Sequence, residues 1–261
     1  MSRKYIFLVC LMIVIVTILL IYYIPKRTTA REIEKATAVV EKESDEIEYP
    51  IIDKGDHVPR RIMQTYKNID KVPNFVIKNI KKDNPDWEYI FMDDTQAVSF
   101  LEKEFPIEVS QKFNSFSCGA HKADLFRLCW LYINGGVYVD IDTHLLEPLE
   151  KIVKNGQLII PITEVDKKDR RLLNCFMAST KGDPLILDCI KSIMKVEDKD
   201  LKKYYCLILR VMQQAIQGKY EYQFFERKMM SEDWSIYDKD GNKIAESRYK
   251  NYDQKKGFAN V

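Results

Sequence analysis

Histidine is scarce in this chain, and neither sign of charge is in excess. The 261 residues include three histidines, and 41 Lys and Arg residues stand against 39 Asp and Glu residues, which leaves a net charge of +2. This balance provides no basic surplus for binding nucleic acid, and the chain has no acidic tail. We therefore expect no nucleic-acid partner.

Metal-binding cysteine patterns are also missing. None of the six cysteines forms a C-x-x-C pair, and no histidine stands at zinc-site spacing. These absences argue against a zinc site and against a dithiol redox centre. Cys129 and Cys189 lie in apolar helical patterns and are predicted to be buried free thiols. The sequence leaves open whether other cysteines form a disulfide.

Hydrophobic residues make up 46% of the chain, which excludes wholesale disorder and supplies a sizeable core. One almost unbroken apolar run, Tyr5 to Ile24, carries no charge. About twenty residues at a rise of about 1.5 Å span roughly 30 Å, the thickness of a bilayer core. Residues 1–25 are therefore predicted to be an uncleaved transmembrane anchor. A signal peptide cleaved after Ala30 is the alternative that the sequence leaves open.

Residues 26–57 are rich in charge and poor in large apolar groups. We interpret them as a solvated stem that holds a folded domain, residues 58–261, away from the membrane. A short N-terminus before one anchor suits a single-pass type II protein facing the Golgi or endoplasmic-reticulum lumen of a eukaryote. Basic residues flank the anchor on both sides, so charge alone does not set its orientation.

Strand and helix patterns alternate from Val58 onward, which predicts an α/β layered domain. Asp240-Gly241 indicates a late hairpin. The predicted strands are 61–66, 87–92, a strand that follows Gly135-Gly136 and ends in two carboxylates, 158–160 and 175–178. The predicted helices run from Pro73 to Asn84, from a cap at Asp94 to Phe105, from Gly119 to Asn134, from Leu185 to Met194 and from Leu201 to Ile216.

The two carboxylates at the end of that strand are the first candidate site. Side chains alternate along a strand, so Tyr138, Asp140 and Asp142 are expected on one face. Ligands collect at the carboxyl ends of strands in open α/β sheets. Two neighbouring carboxylates repel each other unless a cation neutralises them, and hard oxygen ligands suit Mg²⁺ or Mn²⁺. The pattern therefore predicts a divalent cation that carries a diphosphate.

Asp124 and Arg127 are spaced i, i+3 and share one face of the preceding helix. A plain ion pair on the helix surface is one interpretation. The other is that both line the cleft beside the metal, with Arg127 facing anionic oxygen and Asp124 accepting hydroxyl hydrogen bonds. Helical spacing alone does not choose between them.

Several motifs follow one another in a fixed order between Val58 and Asp188. They are Val58–Lys67, Asn84–Tyr89 with Asp93-Asp94, Ala123–Asp142, Asn174–Ser179 and Gly182–Pro184. In this order they resemble glycosyltransferase family 32. Its members share an Asp-x-Asp sugar-binding region with α-mannosyltransferases of the secretory pathway and with glucosylating clostridial toxins. Linked motifs in order are far more specific than a lone Asp-x-Asp.

The resemblance implies a GT-A type, Rossmann-like nucleotide-sugar-binding domain that transfers a hexose with retained anomeric configuration. The donor would be UDP- or GDP-linked, and the acceptor a glycan, glycolipid or glycoprotein. Asp142 would bind Mn²⁺ or Mg²⁺ directly, and Asp140 would hold the ribose and the water shell of the metal. Asp124 and Arg127 would grip the donor sugar and its phosphate side, with Tyr138 in support. The predicted catalytic residues are therefore Asp124, Arg127, Asp140 and Asp142.

The resemblance also implies a donor-binding segment at the end of the first strand. Gln64, Thr65 and Tyr66 would meet the nucleotide base, and Tyr66 stands where the family usually has tryptophan. Asn174 would face the sugar or the acceptor.

One departure from the family concerns the last metal ligand, because no histidine follows His144. His144 and His121 are interpreted as surface or core histidines. The late candidates are Asp240, Asn242, Glu246 and Ser247, near a tail, Arg248–Tyr252, that resembles the closing Arg-Tyr-x-x-Tyr stretch of some family members. A surface hairpin with a frayed end is the alternative interpretation. An inactive sugar-nucleotide or glycan-binding protein on the same fold is the alternative function. A two-metal phosphoesterase would need further acids or histidines, which this sequence does not supply.

Overall fold

The computed structural model describes residues 47–153, 158–164, 170–219, 226–230, 233–246, 252–253 and 257–258. The predicted anchor and residues 26–46 of the predicted stem lie outside the described residues. Across the described ranges, no helix is both long enough and apolar enough to span a bilayer.

The described elements alternate as an α/β chain does. The strands are β1 Arg61–Thr65, β2 Glu88–Met92, β3 Gly136–Val139, β4 His144–Leu145, β5 Ile162–Glu164, β6 Arg170–Leu172, β7 Phe176–Ser179, β8 Glu226–Met230, β9 Asp233–Tyr237, β10 Lys243–Glu246, β11 Tyr252–Asp253 and β12 Gly257–Phe258. The helices are α1 Asn74–Asp83, α2 Asp94–Glu104, α3 Ile107–Ser115, α4 Gly119–Asn134, α5 Leu149–Ile152, α6 Pro184–Met194, α7 Asp198–Lys203 and α8 Leu207–Ile216. A 3₁₀ turn, Ile69–Lys71, precedes α1.

The central sheet has the strand order β2-β1-β3-β7. β1 pairs in parallel with both β2 and β3, whereas β7 runs antiparallel to β3. The chain builds outward from β1 to β2 and then returns to the other side of β1 to build β3. This reversal opens a crevice at the carboxyl ends of β1 and β3, where open α/β sheets bind ligands.

A second sheet has the order β4-β10-β9-β8-β5-β6, and β11 pairs with β12. One apolar core joins the two main sheets, because residues from β1, β3 and β7 pack with residues from β4, β9 and β10. β4 begins two residues after Asp142. The second sheet therefore continues directly from the candidate acidic segment.

Two glycines explain the sharp passage from α4 into β3. Gly135 and Gly136 have φ values of +64° and +105°, a region that disfavours side chains. A Cβ on Gly136 would lie 2.8 Å from the carbonyl oxygen of Arg61 on the neighbouring strand. The glycines thus let β3 enter the sheet beside β1 immediately after the helix, as the Gly-Gly pattern predicts.

The α/β expectation and most of its elements are confirmed. Four boundaries were wrong. β3 ends at Val139, so Asp140 and Asp142 follow the strand instead of lying in it. The cap of α2 is Asp93, whose carboxylate accepts a 2.9 Å bond from the Gln96 amide. Residues 158–160 contribute an isolated bridge at Ile159 and not a strand.

The fourth wrong boundary concerns the predicted helix from Leu201 to Ile216. It is two helices, α7 and α8, separated by residues 204–206. The helical spacing of the apolar residues in α8 does not continue through residues 204–206 into α7. Two short helices, α3 and α5, were not predicted.

Residues 50–55, the described end of the predicted stem, lie against the folded domain. The Tyr132 hydroxyl donates to the carbonyl of Pro50, and the Gly55 amide donates to that of Lys181, both at 2.9 Å. Lys54 forms a 2.8 Å ion pair with Asp183, the buried cap of α6. These contacts fix the path of the chain into β1.

Candidate active site

A cavity of about 760 Å³ opens at the crevice beyond β1 and β3. One of its walls is a face of α4, with Gly119, Ala120, Ala123 and Arg127 spaced at helical intervals. Its volume is within the range typical of small-molecule sites. The remaining lining residues are Thr65, Tyr66, Lys67, Asp94, Phe113, Ser117, Cys118, Lys122, Tyr138, Asp140, Ile141, Asp142 and Tyr205.

Arg127 is the centre of a buried network, although it lies on the cavity wall. Its side chain is 3% exposed and forms ion pairs of 3.1 Å with both Asp124 and Asp140. Its Nε donates to the Ala123 carbonyl at 3.0 Å, and its Nη1 donates to the carbonyl of Asn174. These contacts engage four of the five N–H groups of a guanidinium. Arg127 therefore holds both acids in place.

Tyr138 and Asn174 complete this network. The Tyr138 hydroxyl donates to Asp140 Oδ1 at 2.8 Å, and the Arg127 guanidinium lies 4.4 Å from the centre of the Tyr138 ring. The Asn174 amide nitrogen donates to Asp124 Oδ1 at 2.7 Å. The structure thus brings five of the predicted site residues together. The i, i+3 pair is not a plain ion pair on an exposed helix face.

Burial and neighbouring charges have opposing effects on the pKa values of Asp124 and Arg127. Burial raises the pKa of Asp124, while Arg127 and the Asn174 hydrogen bond oppose the increase. Burial would lower the pKa of Arg127, but Asp140, Tyr138 and Asp124 raise it above its ordinary value. Burial also raises the pKa of Tyr138, so its phenol stays protonated and can donate to Asp140. The site therefore contains a permanent cation between two acids.

Asp140 and Asp142 reach the same cavity from different backbone positions. The Asp140 amide donates to the Cys175 carbonyl at 2.7 Å, which extends the β3–β7 edge by one residue. The chain then turns, and the Thr143 amide donates back to the Asp140 carbonyl at 2.9 Å. Asp140 therefore keeps the alternation of the strand and lies on the same side as Tyr138, whereas the turn brings Asp142 to the cavity.

The donor set at this turn fits a hard divalent cation. Two cavity-lining carboxylates supply oxygen ligands, and diphosphate oxygens and water can supply the remainder. Within the described residues, no three His, Cys, Asp or Glu side chains form a metal-binding group.

Only two of the three residues predicted to meet the nucleotide base line the cavity. Thr65 and Tyr66 line the cavity. Gln64 is fully buried and does not line it; its amide nitrogen lies 3.3 Å from the Asp140 carbonyl oxygen, and its amide oxygen accepts from Tyr89. Gln64 therefore supports the backbone of Asp140 from within the core.

The late candidates fall in two places. Asp240 and Asn242 belong to the turn between β9 and β10, where their amides donate to Asp238. Glu246 lies 3.8 Å from His144 on the paired strand β4. Ser247 lies outside the described residues. None of the three described candidates is among the residues that line the cavity.

Sequence reasoning missed Lys122 and Tyr205 as cavity residues. Lys122 lies 3.7 Å from Asp94 and could be found from the helical spacing of α4. Tyr205 lies in the break between α7 and α8, and no periodic pattern points to it.

Comparison with known proteins identifies the central part of the chain. Residues 70–159 match the family described as glycosyltransferase sugar-binding region containing DXD motif. Inositol phosphoceramide mannosyltransferase 1 of Schizosaccharomyces pombe is 26% identical over 159 residues, covering 59% of this chain and 48% of that protein. The initiation-specific alpha-1,6-mannosyltransferase of Candida albicans is 30% identical over 126 residues, covering 45% and 31% respectively.

The chain thus spans about half or less of the length of the curated relatives it matches. A solved structure titled PaToxG Glycosyltransferase aligns with a TM-score of 0.47 and 16% identity over 76% of this chain and 79% of that one. The family match contains α4, β3 and both acids of the turn, in agreement with the motif order. In this region the chain is similar to glycosyltransferases that carry an Asp-x-Asp sugar-binding region.

Proposed function

We propose that this protein is a membrane-anchored, metal-dependent glycosyltransferase that moves a hexose from a nucleotide-diphosphate sugar to a glycan, lipid or protein acceptor. The observation that carries the proposal is the Arg127 network, in which Arg127 and Asp140 line the switch-point cavity and Asp124 pairs with Arg127 beside it. The family match covers the same elements. The names of the relatives make mannose the first sugar to test.

The donor has complementary groups along this cavity. Tyr66, at the end of β1, offers an aromatic face for the nucleotide base. Asp140 and Asp142 would hold Mn²⁺ or Mg²⁺, which would supply charge stabilisation for the diphosphate. Asp124, fixed by Asn174, would accept hydrogen bonds from sugar hydroxyls.

Arg127 supports departure of the diphosphate without moving. It is a fixed cation at the cavity wall, so it stabilises negative charge as that charge develops on the leaving phosphate. The bond between the anomeric carbon and the phosphate oxygen breaks with its electron pair on oxygen. The acceptor hydroxyl forms the new glycosidic bond, and its proton passes to the leaving phosphate.

The GT-A designation and retention of anomeric configuration come from the family resemblance. The type II arrangement, with residues 5–24 in a Golgi or endoplasmic-reticulum membrane, comes from the apolar run and the charged segment after it. The runner-up function is a binding protein on the same fold.

The test uses the full chain in detergent micelles, with Mn²⁺ or Mg²⁺ and a panel of GDP-mannose, UDP-glucose, UDP-galactose and UDP-N-acetylglucosamine. We expect hydrolysis or transfer from one donor, abolished by a chelator and by Asp142→Ala. Asp86→Ala, at an exposed position in the turn before β2, is the matched control and should retain activity. Metal-dependent donor binding without turnover would favour the binding protein.

A further inference from the structure

The break between α7 and α8 brings a further aromatic residue, Tyr205, to the cavity. α7 ends at Lys203 and α8 begins at Leu207. Tyr204 is buried, whereas Tyr205 is 61% exposed and lines the cavity. A large aromatic face that remains exposed at a ligand cavity is available to stack on a ligand.

Tyr205 is held in position by His121 of α4. His121 Nε2 lies 3.1 Å from the Tyr205 carbonyl oxygen, and the two ring centroids are 4.9 Å apart. A carbonyl can only accept, so Nε2 carries the proton. Among the described residues, His121 Nδ1 has no hydrogen-bond partner, and the ring is 3% exposed. The ring of His121 therefore supports Tyr205 and does not itself face the cavity.

A second contact holds α7 against the start of α4. The backbone amide and the hydroxyl of Ser117 both donate to Asp198 Oδ1, at 2.8 and 2.9 Å. Lys202 pairs with Asp198 Oδ2 at 2.8 Å. Tyr205 is thus exposed but anchored on both sides of the break, which reduces the entropy lost when a ligand binds.

Tyr205 lies on a different element from the residues assigned to the donor, which belong to the end of β1, to α4 and to the turn after β3. Its contact with α4 is at His121, about one helical turn before Asp124. Tyr205 lines the same cavity as Asp140 and Asp142, so a ring stacked on it would lie beside the donor.

The chemistry of Tyr205 suits a six-membered polyol ring. Its aromatic face can cover the C–H face of such a ring, and its hydroxyl can bond to a ring hydroxyl. Partial burial, with Cys118 and Asp124 nearby, raises the pKa of Tyr205 to about 12. The phenol consequently remains a hydrogen-bond donor at neutral pH.

We propose that Tyr205 is the aromatic platform of the acceptor subsite and stacks on a pyranose or inositol ring whose hydroxyl attacks the donor sugar. This proposal rests on the glycosyltransferase function proposed above. His121 is a positioning residue that sets the place of Tyr205.

The experiment separates donor use from acceptor use in the full chain. Metal-dependent hydrolysis of GDP-mannose is measured without acceptor, and transfer is measured to methyl α-D-mannopyranoside and to inositol phosphoceramide. Tyr205→Ala should lower kcat/KM for the acceptor by at least about fivefold, in line with the loss of one stacked ring. Its donor hydrolysis should stay within about twofold of wild type. Tyr205→Trp should restore transfer, and the acceptor that saturates wild type identifies the ring.

Ile107→Ala is the matched control, because Ile107 is 51% exposed on α3 and does not line the cavity. It should leave both reactions unchanged. Transfer by Tyr205→Ala at the wild-type rate to both acceptors would overturn the acceptor subsite. An equal loss of donor hydrolysis would overturn it too, since Tyr205 would then bind the donor. A wild-type chain that turns over none of the donors would instead refute the proposed function.

Discussion

The cavity has two walls that differ in how they are held. The first consists of Arg127, Tyr138 and Asp140, with Asp124 paired to Arg127 beside the cavity, and ion pairs and hydrogen bonds join all four around an arginine that is 3% exposed. The second is Tyr205, which is 61% exposed and is held through its backbone carbonyl and one ring contact. The first wall should contribute to stability and chemistry together, whereas the second should contribute to recognition alone.

The largest effect on stability is expected from Arg127→Met. The variant leaves Asp124 and Asp140 without their shared cation, and removing one partner of a buried pair costs about 3 kcal/mol or more. Urea denaturation should show this loss in the free energy of unfolding. Arg61→Met is the control, because the Arg61 ion pair with Glu88 is 43% and 60% exposed and should contribute about 1 kcal/mol or less. An equal loss of unfolding free energy in the two variants would show that the buried ion pairs of Arg127 do not stabilise the first wall.

A smaller effect is expected from Gly136→Ala, which tests the backbone that carries the first wall. Gly136 has a φ of +105°, and a Cβ there would lie 2.8 Å from the Arg61 carbonyl oxygen. Backbone strain of this kind costs about 1–3 kcal/mol. Thermal denaturation should show a lower midpoint. Gly119→Ala, where a Cβ meets nothing within 4 Å, should leave the midpoint unchanged or slightly higher. A Gly136 variant as stable as wild type would contradict the observed geometry.

The smallest effect concerns the support of the second wall and depends on pH. Hydrogen bonds from Lys202 and Ser117 lower the pKa of Asp198 from 3.8 to about 2. A lowered pKa stabilises the fold above the ordinary value, and this contribution disappears as the pH falls from about 4 to about 2. Wild type should therefore exceed Asp198→Asn in stability at pH 5, with the difference shrinking toward pH 2. A difference that is constant over this range would contradict the assignment.

Sequence reasoning predicted the first wall and missed the second for a physical reason. Asp124, Arg127 and Asp140 are close in sequence, and helical spacing, a glycine turn and a buried strand bring them together. Tyr205 reaches the same cavity because a helix breaks about 80 residues after Asp124. That break depends on tertiary contacts with His121 and Ser117, which leave no local pattern.

The turn after β3 was predicted only in part. The two acids were assigned to a strand, and alternation was expected to place them on one face. The strand ends at Val139, Asp140 continues its alternation on the Tyr138 side, and a turn closed by Thr143 brings Asp142 to the cavity. The order of residue types after the glycines was sufficient to point to the candidate site. The backbone geometry of the turn depended on the partner strand β7, which the sequence pattern does not reveal.

The central claim, that the first wall binds a nucleotide diphosphate through a metal held by Asp142, is tested most directly by the affinity for GDP and UDP with and without Mn²⁺. Titration calorimetry on the full chain should show that Mn²⁺ tightens binding of one nucleotide at least about tenfold, a coupling of about 1.4 kcal/mol. Asp142→Asn should lose this coupling while its unfolding midpoint stays that of wild type. Equal affinities with and without Mn²⁺ in wild type, or unchanged coupling in Asp142→Asn, would contradict the account.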